Sequence, residues 1–280
     1  MQWEASCPMP SSTTPQAEKN AAGNSIARKH PAAKGRALRL WAIALWLLLW
    51  QAAAMLVGQD FLLASPVDTL ARFFALALDG SFWPAALFSL ARIFGGFLLG
   101  LAAGVLLAAL SARFVRVREL IAPLHTVLRA IPVASFVIVA LVWLPSRSLS
   151  VLICFLISFP VIYTGALGEI ERTDPKMVQM ARLLHMPAGR QLVYLYALPA
   201  LRGFEGTCAT AIGLAWKSGT AAELISIPAG SIGERLYEAK VYLMTGDLFA
   251  WTILIVLLSA LCSRLFTCLL RAAARRLEGV

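Results

Sequence analysis

Leu40–Val57 runs for 18 residues with one polar side chain, Gln51, and comparable apolar segments recur along the rest of the chain. A helix rising about 1.5 Å per residue needs close to 20 apolar residues to cross a hydrocarbon core of about 30 Å. No water reaches peptide groups at that depth, so each such segment must satisfy its own backbone as a helix. The further apolar segments are about Ala86–Leu110, Ile121–Leu144, Leu149–Leu167, Ala200–Ile225 and Leu248–Leu270. The expected fold is an all-α polytopic membrane protein with six transmembrane helices. Composition agrees: charged residues are 14% and AVILMFWYC residues 59%, against about 25% and 45–50% in soluble domains. Leu40–Val57 could be a cleaved leader ending at Ala52-Ala53-Ala54. The leader would be too long and its apolar run exceeds an h-region, so an uncleaved anchor is expected.

The net charge of +10 raises the question of nucleic acid, but no basic stripe with interleaved aromatics is present. The cations are sorted by side instead. With the N-terminus inside, seventeen lysines and arginines fall in cytoplasmic segments, while Arg72, Arg147, Arg235 and Lys240 fall on the other side. The positive-inside rule therefore predicts N-in, C-in. Residues 1–39, rich in Pro, Ala, Ser and Lys, read as a disordered cytoplasmic tail; 40–270 as the six-span domain; 271–280 as a cytoplasmic tail.

Between the first two spans, Ser65-Pro66 reads as the cap of a short amphipathic helix. Leu70, Phe73, Phe74 and Ala77 share one of its faces, and Trp83 follows as an interfacial anchor. This helix is expected along the outer membrane–water boundary. In the second span Gly96, Gly100 and Gly104 put small residues on one face, for packing within this chain or against a second copy. The third span contains Pro132, which predicts a kink lining a cavity.

One polar stretch, residues 168–199, separates the fourth and fifth spans. Asp174-Pro175 is a helix start, with an N-cap acceptor before a proline that needs no N–H. Met177, Met180, Ala181 and Leu184 then follow at helical spacing as one apolar stripe. Pro187 ends that helix, and a second is expected over Gly189–Leu198, closing on Pro199. Such a stripe outside the bilayer either folds back on its own bundle or docks a soluble partner.

A cytoplasmic loop of this size ending in Leu198-Pro199 resembles the EAA loop of binding-protein-dependent ABC transporter permeases, in the branch handling sulfonates, nitrate and taurine. The resemblance covers roughly residues 58–270. It is also carried by Ser89-Leu90-Ala91-Arg92 with Gly95 and Gly96, by Arg129-Ala130-Ile131-Pro132, by Gly213-Leu214-Ala215-Trp216-Lys217 with Ala222-Glu223, and by Asp247–Thr252. Gln179-Met180-Ala181 stands where the motif has Glu-Ala-Ala, His185 stands at its glycine, and the run to Pro199 is one residue longer. A left-handed turn is expected at that glycine position, which histidine tolerates at a cost.

The resemblance implies a permease subunit in the cell inner membrane, working with a second permease copy, a cytosolic ATPase dimer and an extracytoplasmic solute-binding protein. It implies a coupling surface of Met177, Gln179, Met180, Ala181, Arg182, Leu184 and His185. ATP and Mg would belong to the partner ATPase, with no cofactor on this chain.

The sequence carries no GxSxG, HExxH or Walker A pattern, no CxxC among its five cysteines, and scattered histidines at 30, 125 and 185. A non-catalytic chain without a metal site is expected. Ionisable residues within spans are costly and usually face a cavity or a partner. Lys217 is the leading candidate for lining a pathway for a small anion, with Glu223, Trp216 and Pro132 as further candidates. The competing reading of Lys217 is an ion pair with another helix. Arg92, Arg129 and Arg202 read as snorkelling to an interface. A secondary transporter or a membrane scaffold is the alternative class, although no inverted repeat is evident.

Overall fold

The structure, a computed structural model, describes residues 35–59 and 62–278, and every regular element among them is helical. The chain divides into residues 1–49 and 50–280. The described part of the first unit is the opening of α1 (Gly35–Val57), which starts before the expected Leu40; the remainder of the 1–39 tail lies outside the described residues. The packing described below is that of the second unit.

α2 (Pro66–Ala77) starts as its sequence dictates: Pro66 takes the first position and Ser65 Oγ accepts the Asp68 N–H at 3.1 Å. Phe73, Leu76 and Ala77 pack on the cluster around Phe82 and Trp251. Val67, Leu70, Phe74 and Leu78 form an outward apolar stripe at three- and four-residue spacing. Leu70 and Phe74 thus face away from the bundle while Phe73 and Ala77 face into it. Trp83 is exposed and donates its indole N–H to Ala77 O at 3.0 Å.

α3 (Phe82–Arg113) and α6 (Ser146–Glu171) pack along the glycine stripe. A Cβ at Gly96 would lie 2.7 Å from Cys154 Cβ, one at Gly100 2.9 Å from Ser158 Cβ, and one at Gly104 2.7 Å from Ile162 Cγ2. The stripe therefore serves packing within this chain, and the close approach leaves no space for larger residues. Both helices advance together along these pairs, so they are parallel. α9 (Leu198–Ser226) runs the other way, with Gly219 at Cys154, Thr207 at Gly165 and Gly203 at Glu169. α11 (Thr245–Glu278) runs with α3: Trp251 lies against Phe82 with ring centroids 4.6 Å apart, and Phe266 against Phe97 at 5.2 Å. The expected tail 271–280 continues this helix as far as Glu278. The main core, with Ile93, Phe97, Ile162, Ile212 and Trp216, fills the space among these four helices.

Parallel α3 and α6 require the intervening chain to travel back. It does so as α4 (Val115–Ala130) and α5 (Val133–Ala140). Arg118 meets Glu171 at 2.5 Å, His125 Nε2 lies 3.3 Å from Pro160 O, and Val137 joins Ile153 and Ala222 near the start of α6. The expected third span is thus two helices bent by 100° rather than one kinked helix. Proline at 132 drives the preceding residue out of the helical region; Ile131 (ψ 124°) and Pro132 (ψ 120°) are both extended.

Among the described residues three helices, Phe82–Arg113, Ser146–Glu171 and Thr245–Arg276, are long and apolar enough to cross a membrane, and the bent pair counts as a fourth if taken as one span. The apolar part of α1, Trp41–Val57, is shorter, and α9 carries Arg202, Glu205, Lys217 and Glu223.

α7 (Pro175–Leu183) and α8 (Ala188–Gln191) lie at one end of this bundle, in the segment joining α6 to α9. α10 (Ile232–Val241) joins α9 to α11 at the other end. Ser231 Oγ accepts the Glu234 N–H at 3.0 Å while the Glu234 carboxylate reaches past the cap to accept the Gly230 N–H at 2.6 Å.

Candidate functional site

Near its C-terminus α9 buries Glu223 completely. Ser89, on α3, donates its hydroxyl to Glu223 Oε2 at 2.5 Å, and Ser89 Oγ in turn accepts the Ile232 N–H at 2.9 Å. One serine thereby joins α3, α9 and the first turn of α10. Arg92, one turn along α3, brings Nη1 to 3.7 Å from Glu223 Oε1 and donates from Nη2 to Ser146 O at 3.1 Å. Its guanidinium lies 4.8 Å from the Phe88 ring centroid. Gly233 presses against Glu223, where any Cβ would collide with the glutamate backbone and side chain. A buried carboxyl group needs hydrogen bonds and a nearby counter-charge, and Ser89 and Arg92 supply them.

The expected snorkelling of Arg92 is therefore corrected: its side chain is 10% exposed and points into an ion pair. Snorkelling is favourable only when no buried partner is within reach, and Glu223 is. Two sequence blocks that stand far apart, Ser89–Arg92 and Ala222-Glu223, converge here.

Just beyond the cluster, Ile227 takes φ 45° and donates its N–H to Glu223 O at 2.8 Å. A β-branched residue in the left-handed region stores about 1–3 kcal/mol of strain. Gly230, at φ 78°, completes the turn into α10.

The other pathway candidates do not gather at one place. Trp216 is 2% exposed within the core, whereas its neighbour Lys217 is exposed. Among the described residues no carboxylate forms an ion pair with Lys217. Pro132 is exposed at the α4–α5 break, as is Arg129 beside it. The Arg202 side chain lies outside the described residues.

At the opposite end, Asp174 Oδ1 accepts the Lys176 N–H at 2.8 Å and starts α7 with Pro175. The helix closes with Leu184 N–H to Met180 O and Met186 N–H to Ala181 O, each at 3.0 Å, while His185 takes φ 50°. This is a Schellman closure, with histidine in the left-handed place that glycine usually takes. Met177 (55%), Met180 (54%) and Leu184 (69%) are exposed, and so is Gln179. Ala181 is buried, so the apolar stripe divides: its small member packs inward and its large members face out. The Arg182 side chain lies outside the described residues.

The second helix of this segment differs from expectation. After α8, Leu192–Ala197 forms a π turn and the chain continues into α9 without closing at Pro199. A proline here frees the carbonyl four residues earlier, Leu195 O, which accepts the Thr173 hydroxyl at 3.4 Å. The Thr173 hydroxyl thereby supplies a partner for the carbonyl that the proline leaves unpaired. Sequence reasoning also passed over Ser89 as a ligand of Glu223; the only hint was the polarity of a serine and a glutamate in apolar spans.

No protein-family model matches the sequence. A probable ABC transporter permease of Brucella melitensis is 28% identical over 216 residues, which is 77% of this chain and 86% of that protein. A putative aliphatic sulfonates transport permease of Bacillus subtilis is 25% identical over 215 residues, 76% of this chain and 78% of that one. A riboflavin transport system permease of Chloroflexus aurantiacus is 27% identical over 191 residues, 68% and 70% of the two chains. The span covered and the apolar helices together make this a multi-pass membrane chain similar to ABC transporter permeases, the aliphatic-sulfonate type among them.

Proposed function

We propose that this chain is the membrane-spanning permease subunit of an ABC importer for a small nutrient, anionic in the manner of a sulfonate, in the cell inner membrane. It crosses six times with both termini in the cytoplasm, beside a second permease copy. A cytosolic ATPase dimer binds the α7 turn, and a solute-binding protein delivers cargo at the α10 end. The observation that carries the reading is the α7 surface: Met177, Met180 and Leu184 stand out from a capped, rigid turn outside the apolar helices, in a chain whose relatives are named ABC transporter permeases.

Exposed apolar area is worth about 25 cal/mol per Å² when covered. A groove that buries Met180 and Leu184 gains on the order of a few kcal/mol before ordering costs. Movement of the ATPase would pass from the α7 turn into the helix that runs unbroken from Ala188 to Ser226, and so to the Glu223 cluster at the other end. Rigid helices pivoting on packed interfaces are the ordinary means of switching access between two sides. Lys217, exposed and without a carboxylate partner among the described residues, is the residue best suited to meet an anion.

The experiment is a pull-down of the cytosolic ATPase by Met180→Asp and Leu184→Asp variants. Both should keep normal membrane abundance, lose most of the bound ATPase and lose ATP-driven uptake, because an unpaired charge enters the groove. Undiminished ATPase recovery would remove α7 from the interface.

A further inference from the structure

The Glu223 cluster leaves polar atoms without partners. Arg92 Nε and Nη1, Glu223 Oε1 and Ser150 Oγ are all buried and make no hydrogen bond. Glu223 and Ser150 are 0% exposed and the Arg92 side chain 10%. With Cys154 at Gly219 on antiparallel α6 and α9, Ser150 comes one turn further on at the level of Glu223, and its hydroxyl makes no hydrogen bond. At 3.7 Å, Arg92 Nη1 and Glu223 Oε1 attract one another but are too far apart to share a hydrogen bond. Native interiors rarely leave such groups unpaired, and Arg92 Nη1, Glu223 Oε1 and Ser150 Oγ at one ion pair mark a site rather than a defect.

The chemistry of the four atoms selects the occupant. Two are N–H donors, one is a carboxylate acceptor, and the hydroxyl is both. An anion would satisfy Arg92 and Ser150 but would face the Glu223 carboxylate. A cation would satisfy Glu223 but would face the guanidinium. The ligand must be small, uncharged, and both donor and acceptor. We infer that one ordered water molecule is bound here, accepting from Arg92 Nη1, donating to Glu223 Oε1 and bonding the Ser150 hydroxyl. A water about 2.8 Å from each ion-pair atom closes the 3.7 Å gap at an angle of about 80°, and three partners is the usual number for a buried water. The Arg92–Glu223 pair is then bridged by water, and α3, α6 and α9 each contribute one ligand.

A buried cysteine reports on this water. Cys154 lies one helical turn from Ser150 and packs against Gly96 and Gly219, themselves one turn from Arg92 and Glu223. Cys154 and Cys208 are both 0% exposed, but Cys208 lies about four turns before Glu223 on α9. X-ray radiolysis converts an ordered water into hydroxyl radicals in place, which oxidise the side chains around it even where bulk solvent does not reach. With the full-length protein in lipid nanodiscs, mass spectrometry should show Cys154 oxidised at least tenfold faster than Cys208. Ser150→Ala, which removes one ligand, should slow Cys154 oxidation several-fold. Equal protection of the two cysteines would overturn the inference, as would equal oxidation, which would mean general water entry. A Cys154 rate unchanged in Ser150→Ala would remove Ser150 from the site and refute the three-ligand arrangement.

Discussion

Replacing Ser89 with alanine deletes a single oxygen, yet that oxygen makes two bonds between three helices. It donates to the Glu223 carboxylate at 2.5 Å and accepts the N–H of Ile232, a residue that is 0% exposed. A hydrogen bond to a charged group contributes about 1.5–3 kcal/mol, and a buried N–H left unpaired costs about 1–3 kcal/mol. Partial relaxation keeps the sum below the arithmetic total, so Ser89→Ala should cost about 3–4 kcal/mol, in the tail of point substitutions. For a chain of this size that corresponds to a melting point lower by roughly 10 °C. The assay is unfolding of the purified protein in mixed micelles, with Ser148→Ala as reference. The Ser148 hydroxyl bonds only the exposed local carbonyl of Pro145, so its loss should change stability by less than about 0.5 kcal/mol. Combining Ser89→Ala with Glu223→Gln should cost less than the sum of the two, because they share an interaction. A loss below about 1 kcal/mol for Ser89→Ala, or strict additivity in the double variant, would refute the view that this serine joins α3 to α9 and α10.

Two shorter expectations concern backbone geometry. Gly100→Leu must push α3 away from α6, because a Cβ there already lies 3.1 Å from Phe155 O and 2.9 Å from Ser158 Cβ; membrane abundance should fall sharply. Gly95→Leu, with nothing within 4 Å of the new Cβ, should leave abundance unchanged, and equal effects at the two positions would deny the packing role of the stripe. His185→Gly should relieve about 1 kcal/mol at φ 50° and slow exchange of the Met186 amide several-fold. Faster exchange there would mean that the histidine side chain, rather than the backbone turn, holds the α7 closure.

Local chemistry was readable in the sequence wherever neighbours decide the outcome. The starts at Ser65-Pro66 and Asp174-Pro175 follow from caps and proline, whereas the left-handed turn at His185 was implied by the resemblance, whose motif has glycine there. The glycine stripe announced a close helix contact, but a small face looks the same whichever helix meets it, and only the packing identified α6. Pro199 shows the opposite case. Its local preference is to end a helix, yet the chain continues through a π turn into α9, and Thr173 comes across from another segment to meet the freed carbonyl. The Glu223 cluster was beyond reach for the same reason. Ser89 and Glu223 are 134 positions apart, and nothing in either neighbourhood encodes the other. The α4–α5 break was half legible: Ile131-Pro132 marked the place, but a run long enough for one span concealed a 100° change of direction.

The orientation of the bundle can be tested from its two ends. At the α7 end lie Arg113, Arg116, Arg172, Lys176, Arg190 and the cationic tail of α11; at the α10 end the cations are Arg72, Arg147, Arg235 and Lys240. Arg72 is further neutralised by two hydrogen bonds to Asp247, at 2.6 and 2.8 Å, which raise its pKa above the ordinary arginine value. Leaving the more cationic end in the cytoplasm avoids carrying those charges across during insertion, which is the physical content of the positive-inside rule. Probes must sit where a reagent can reach them. Ser231 is unsuitable because it is buried as the cap of α10, whereas Ala229 and Gly189 are exposed at opposite ends. With the native cysteines replaced, a membrane-impermeant maleimide added to whole cells should label Ala229→Cys and spare Gly189→Cys. Opening the membrane should then label both. Labelling of Gly189→Cys alone in intact cells would place the α7 surface outside, where no cytosolic ATPase could reach Met180 and Leu184, and the proposed coupling would fall with the orientation.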